Sequence, residues 1–175
     1  MTETPETGTA TPLTLTPTPT TDPTTRTLLR EYLTDVAGRW YQLRHQRPCT
    51  PAELERHLAE IHDDDLDPPR GVLLVARRGG EPAGCAGLRR LDGGRAEVTR
   101  MYVRPAHRGR GVAPALLAAL EETARTWDAT HIVLETRRDL TEARALYARH
   151  GYTAVPAYVH GPHAEVWLGK ELGTP

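Results

Sequence analysis

The 175-residue sequence predicts one α/β domain with a mixed, mostly antiparallel central sheet and helices on both faces. Two observations carry this prediction. Three strand-like runs, Gly71 to Arg77, Ala83 to Leu91 and Ala96 to Val103, are separated by the turn signals Gly79-Gly80-Glu81-Pro82 and Asp92-Gly93-Gly94, the pattern of an antiparallel meander. The third run leads through a loop, Arg104 to Gly111, into a long helix and then a strand, His131 to Thr136, the pattern of a parallel crossover.

The other elements follow in chain order. Residues 1–25 hold 12 threonines and 5 of the 15 prolines. Such a stretch has too few apolar contacts to offset its chain entropy, so most of it is expected to be disordered. Within it Leu13-Thr14-Leu15-Thr16 alternates as a short first strand, which puts the domain at 12–175 and a disordered tail at 1–11. Leu28, Leu29, Tyr32, Leu33, Val36, Trp40 and Leu43 recur at helical spacing, in a helix that stops before Pro48. Thr50-Pro51-Ala52-Glu53 is a capping box that opens a second helix, with Leu54, Leu58 and Ile61 directed inward. The crossover helix carries Leu116, Leu120, Ala124 and Trp127 on one face. A last helix, Thr141 to His150, stops at Gly151, and strands at Tyr152 to Val159 and Ala164 to Leu168 complete the chain.

Composition narrows the function classes. With 22 basic and 23 acidic residues the formal charge is −1, which argues against nucleic acid as a partner over the whole surface and leaves a local basic site open. No apolar run reaches the 18 residues of a membrane span and no leader-like start is present, so no membrane partner and a cytoplasmic location are expected. Cys49 and Cys85 form neither a CxxC pair nor a disulfide framework and are read as free thiols. Of the basic residues 21 are arginine and only Lys170 is lysine, so arginine number by itself identifies no site.

The informative stretch is Met101-Tyr102-Val103-Arg104-Pro105-Ala106-His107-Arg108-Gly109-Arg110-Gly111-Val112-Ala113: a strand, a basic glycine-containing loop and a helix start. The first amides of a helix lack intrahelical acceptors and sit at the positive end of its dipole, where they suit a pyrophosphate. Gly109 and Gly111 would let backbone approach such an anion, with Arg104, Arg108 and Arg110 raising the local potential. A P-loop is excluded because no Gly-Lys-Ser/Thr triplet follows. A dinucleotide fingerprint fits poorly: Gly109-Arg110-Gly111-Val112-Ala113-Pro114 ends in proline and begins well past the strand, although Glu135 could serve as its ribose ligand. A solvated basic turn is the bland alternative.

Arg108-Gly109-Arg110-Gly111-Val112-Ala113 resembles the Arg/Gln-x-x-Gly-x-Gly/Ala signature of the GNAT family of N-acetyltransferases. The flanks are similar too. Ala96 to Val103 looks like the family's fourth strand, and Ala143-Arg144-Ala145-Leu146-Tyr147-Ala148-Arg149-His150-Gly151-Tyr152 resembles its A-x-x-L-Y-x-x-x-G-F/Y segment, so the likeness covers roughly residues 70–172.

The resemblance implies the acyl-CoA N-acyltransferase fold, acetyl-CoA as co-substrate and no metal. Backbone groups of the Met101, Tyr102 and Val103 segment would pair with the pantetheine arm where two strands splay, the Met101 amide doubling as an oxyanion donor. Backbone amides of Arg108, Gly109, Arg110, Gly111, Val112 and Ala113 would hold the pyrophosphate. Tyr147 matches the tyrosine that protonates the departing thiolate, and Glu97 matches a strand position where some members carry a general base. Without that frame Tyr147 reads as a packed helix tyrosine and Glu97 as a solvated or arginine-paired carboxylate. Two positions depart from the family pattern. Leu140 stands where asparagine often contacts the cofactor, and Pro114 removes one amide from the first turn. His160 and His163, like His57 and His62, lack the partners of a metal site, and Asp63 to Asp67 reads as a solvated acidic loop. The acceptor, a small-molecule amine or a protein or peptide amine, has no signature, and the state is monomer or homodimer. The rival class is a non-catalytic acyl-CoA-binding or sensing module.

Overall fold

The computed structural model describes residues 11–173. Leu13–Pro17 forms β1, Gly71–Arg78 β2, Glu81–Leu91 β3 and Arg95–Val103 β4, all joined antiparallel. His131–Thr136 forms β5, Thr153–Ala154 β6 and Val166–Glu171 β7, giving one seven-stranded sheet of order β1-β2-β3-β4-β5-β7-β6. Only β4 and β5 run parallel, and they pair just from Arg95–His131 to Glu97–Val133 before they part. That divergence makes the gap on which the site is built.

Helices cover both faces. α1 (Pro23–His45) is started by Asp22, whose carboxylate accepts from the Thr24 amide at 2.8 Å, and it buries Leu28, Leu29 and Leu33. Leu28 and Leu29 join Leu73, Val75, Cys85 and Tyr102 in a core on one side of the sheet. α3 (Val112–Thr126) packs Leu116, Leu117, Leu120 and Ala124 on the other side, against Leu74, Ala86, Leu88, Val98 and Ile132. α4 (Thr141–Arg149) adds Leu146 and Tyr147 to that second core. Alternation along the strands sends successive residues to opposite cores. Among the described residues no helix is long and apolar enough to cross a membrane.

Four differences from the sequence reading have physical causes. The threonine- and proline-rich start is structured from residue 12 onward, because β1 pairs with all of Leu74 to Arg78 and Asp22 caps α1. Of the tail expected at 1–11, residues 1–10 lie outside the described residues; the Thr11 carbonyl accepts from Arg78 at 3.2 Å. α2 (Pro51–Glu60) has the reciprocal Thr50–Glu53 capping box, yet Leu54, Leu58 and Ile61 are only half-buried, since the helix packs on α1. The strand expected at 152–159 is two residues long: Pro156 has no amide to continue the ladder, and the chain leaves the sheet until Val166.

Between β3 and β4 the register slips, so that Gly87 faces Thr99 while Cys85 faces Tyr102. The extra residue falls in a bulge at which Arg100 takes a left-handed conformation, φ 53°. Its guanidinium is tied to Asp63 at 2.9 Å, on the segment after α2.

Candidate active site

A cleft of about 660 Å³ opens where β4 and β5 part. The start of α3 lies at one end, with Gly109, Gly111, Val112 and Ala113. Met101 to Val103 form one wall, α1 supplies Tyr32 and Asp35, and α4 supplies Tyr147. Arg100 and Glu135 also line it.

The α3 end has the features expected of an anion cradle. Gly109 (φ 69°) and Gly111 (φ 79°) are both left-handed, and a Cβ added at either would meet no atom within 4 Å, so the space before them is open. Gly111 is the N-cap and offers no side chain to the amides of the first turn, of which Pro114 contributes none. The arginines are arranged differently from the sequence expectation. Arg104 is paired with Glu31 through two bonds of 2.8 and 2.9 Å. Arg108 folds back, donating to the Val103 carbonyl at 2.9 Å with Asp35 at 3.8 Å. The Arg110 carbonyl accepts from Arg78 at 2.6 Å. Arg104 is thus drawn off by Glu31, while the Arg110 guanidinium makes no hydrogen bond or ion pair to another described residue.

Along the wall, the Arg104 amide donates to Ala83 on β3 at 2.9 Å. Alternation then turns Tyr102 toward β3 and leaves Met101 and Val103 facing the open edge. Tyr102 contributes its ring to the α1-side core and the wall, and its backbone pairs opposite Cys85. Arg108 already occupies the Val103 carbonyl, whereas Met101 faces the gap beyond the end of the β4–β5 ladder.

Tyr147 is 5% exposed and packs 5.7 Å from the Tyr152 ring. Burial first, and the neighbouring Tyr32 second, push its phenol above the ordinary value, so it stays protonated. Glu97 is 2% exposed, and both of its oxygens are engaged, one by Arg89 Nε and the other by the Tyr158 hydroxyl at 2.8 Å. Arg89 is in turn bound to Asp65 at 2.9 Å.

Sequence reasoning named Glu135 only as a ribose ligand for a dinucleotide and did not place it in this cleft. It sits on the Glu97 face of the sheet, two residues beyond Val133, the partner of Glu97. Its side chain reaches the cleft, is exposed, and makes no hydrogen bond or ion pair to another described residue. Partial desolvation in the cleft, and then the charge of Glu97, raise its pKa; Arg89, Arg100 and Arg137 act the other way. The β4–β5 register, which needs the three-dimensional pairing, is the signal that identifies it.

Comparison with known proteins agrees with this geometry. The profile of the Acetyltransferase (GNAT) family matches residues 37–152. An uncharacterised N-acetyltransferase of Mycobacterium tuberculosis is 31% identical over 129 residues, covering 69% of this chain and 80% of that one. The IAA acetyltransferase of Azospirillum brasilense is 33% identical over 110 residues, 57% of this chain and 72% of its own. Among solved structures, a protein assigned as an acyl-CoA N-acyltransferase from Klebsiella pneumoniae superposes with a TM-score of 0.68 at 28% identity, over 92% of this chain and 98% of that one. The PaiA N-acetyltransferase of Thermoplasma acidophilum, solved with coenzyme A, gives 0.63 at 15% identity over 91% and 99%. The strand–loop–helix motif, the parted strands and these matches together place the chain in the GNAT family of acetyltransferases.

Proposed function

We propose that this protein is an acetyl-CoA-dependent N-acetyltransferase that moves the acetyl group directly to an amine. The observation that carries the proposal is one continuous cleft joining the uncapped start of α3, the open edge of β4, the Tyr147 phenol and the Glu135 carboxylate.

The donor set suits acetyl-CoA: left-handed glycines with open space before them for a pyrophosphate, and a strand edge for an amide-bearing arm. When bound, acetyl-CoA supplies an acyl group activated as a thioester. The amides from Arg108 to Ala113 hold the phosphates, and the Met101 amide stabilises negative charge on the thioester oxygen. Glu135 takes the proton from the incoming ammonium, in preference to Glu97, whose oxygens are both occupied. Tyr147 gives its proton to the leaving sulfur and regains one, directly or through solvent, from the second proton that the attacking nitrogen sheds. No thiol lines the cleft: Cys85 is buried in the α1-side core with its pKa pushed up to about 12, which favours direct transfer over an acyl-enzyme.

The acceptor end is electrostatically negative. The three arginines around Glu135 are each neutralised: Arg89 by Glu97 and Asp65, Arg100 by Asp63, and Arg137 by Asp139 through bonds of 2.8 and 2.9 Å. Such an end receives an amine that arrives as a cation and offers no free cation to a carboxylate beside it. The test is purified protein with acetyl-CoA and paired amines, with and without a carboxylate on the amine-bearing carbon, reading release of free coenzyme A. Turnover with amines lacking the carboxylate is expected. Binding without turnover on any amine would leave a sensing module, and absence of binding would end the acetyltransferase reading.

A further inference from the structure

The family resemblance offers Glu97 as a candidate base, and in the structure both of its carboxylate oxygens are engaged. Its carboxylate lies in a chain that crosses three elements. Asp65, on the short 3₁₀ turn Asp64–Leu66, binds Arg89 of β3; Arg89 binds Glu97 of β4; and Glu97 accepts from Tyr158. Tyr158 belongs to the segment 155–165 that leaves the sheet between β6 and β7. The guanidinium of Arg95 lies 5.7 Å from the Tyr158 ring.

That segment runs from the Glu97 side of β4 to α1. It is fixed near β4 by Tyr158 and at α1 by His163, whose ring is 5.4 Å from Trp40, and by Glu165, which binds Arg44 at 3.0 Å. Between these ends the Trp167 indole donates to the Val159 carbonyl at 3.0 Å, and Trp167 is the cross-strand partner of Glu135. At its β4 end, then, the bridge is held by the Tyr158 hydroxyl on Glu97.

We propose that Glu97 is a positioning residue: through Tyr158 it fastens the 155–165 segment across the acceptor end of the cleft, and it keeps a fixed negative charge beside Glu135. The second half rests on the acetyltransferase reading for its meaning but not for its test. Glu97 and Glu135 stand on the same face of neighbouring strands, two residues out of register. The charged and titratable groups that face Glu135 are Glu97 and Arg100 from β4, Arg89 from β3, Arg137 from the end of β5, Tyr32 from α1 and Tyr158 from the segment. Glu97 accepts from Arg89 on one oxygen and from the Tyr158 hydroxyl on the other, so its carboxylate is held in place beside Glu135.

Two measurements without acceptor test this. The titration of the Glu135 side-chain carboxyl is followed by carbon-13 NMR, its signal assigned by loss in Glu135→Gln. In Glu97→Gln the midpoint is expected to fall by about half a pH unit, the size Coulomb's law gives for charges roughly 8 Å apart in a half-solvated cleft. Amide hydrogen exchange across 155–165 is expected to quicken at least tenfold in Tyr158→Phe, which keeps the ring and the fold, while β2 to β4 exchange as before. An unmoved Glu135 midpoint, or unchanged exchange in Tyr158→Phe, overturns the proposal. Neither readout uses turnover, so failure of the acetyltransferase assay and failure of this proposal are separate results. Where an active amine is in hand, Tyr158→Phe raises its KM and leaves that for acetyl-CoA unchanged.

Discussion

Gly111 and Gly80 allow the anion cradle to be tested against a matched control. Both are left-handed, at φ 79° and 83°, and a Cβ at either would meet nothing within 4 Å. An alanine in that conformation costs about 1–2 kcal/mol, partly offset by the smaller entropy of the unfolded alanine chain, which leaves about 1 kcal/mol net. For a chain of this length that is a fall of roughly 2–4 °C in Tm, the same for Gly80→Ala and Gly111→Ala. The two differ in what the new methyl faces. Gly80 lies in the β2–β3 turn, and Gly111 caps α3 at the end of the cleft. Acetyl-CoA at 100 times its Kd stabilises the native protein by about 2.7 kcal/mol, or roughly 5–10 °C. Gly80→Ala keeps that shift. Gly111→Ala weakens binding at least tenfold, which removes about 1.4 kcal/mol and so about half of the shift. Thermal melts with and without acetyl-CoA, and calorimetric titration of both variants, provide the comparison. A Gly111→Ala protein that gained the full shift would show that the start of α3 does not hold the phosphates.

Other consequences follow from the same structure. Tyr147→Phe lowers kcat by about 10- to 1000-fold with little change in the Kd for acetyl-CoA or in Tm, since its hydroxyl has no hydrogen-bond partner among the described side chains; steady-state kinetics and melts check this. Glu135→Gln lowers kcat/KM at pH 7 by about 100-fold or more, and a pH profile shows the acidic limb flattened. The sign for stability is opposite: the folded pKa of Glu135 is raised, so its ionised form opposes folding above that pKa, and Glu135→Gln melts slightly higher at pH 7 but not at pH 4. Glu121→Ala leaves Lys170 and the Tyr152 hydroxyl without the carboxylate they bind at 2.9 and 3.1 Å, and urea unfolding is expected to show a loss of about 1–3 kcal/mol, less than for a fully buried pair because the lysine is part-exposed.

The fold was legible where local pattern and tertiary pairing agree. The meander, the crossover and the short first strand all carry apolar alternation or helical spacing that the tertiary pairing also uses, and they form close to the expected residues. The Thr50–Glu53 box was readable because its chemistry is contained within four residues. The depth of α2 was not, because burial depends on which neighbour an amphipathic helix reaches. The strand expected up to Val159 failed at Pro156, where a local rule about missing amides outweighs a local preference for β residues.

The site divides in the same way. A glycine cap and its helix are adjacent in sequence, so the loop before α3 could be read locally, whereas Tyr147 was tied to the cleft only through the resemblance of its segment to the family's; both line the cleft. The fate of a carboxylate could not, because it depends on partners distant in sequence. Glu97 is quenched by Arg89 and by a tyrosine 61 residues away, while Glu135 is spared because the three arginines near it are drawn off by Glu97, Asp65, Asp63 and Asp139. With 22 basic and 23 acidic residues in the chain, almost any carboxylate could have found a cation. An unpaired one in a cleft is therefore informative: Glu135 stays open to solvent and to an incoming amine, and its raised pKa suits it to take up a proton.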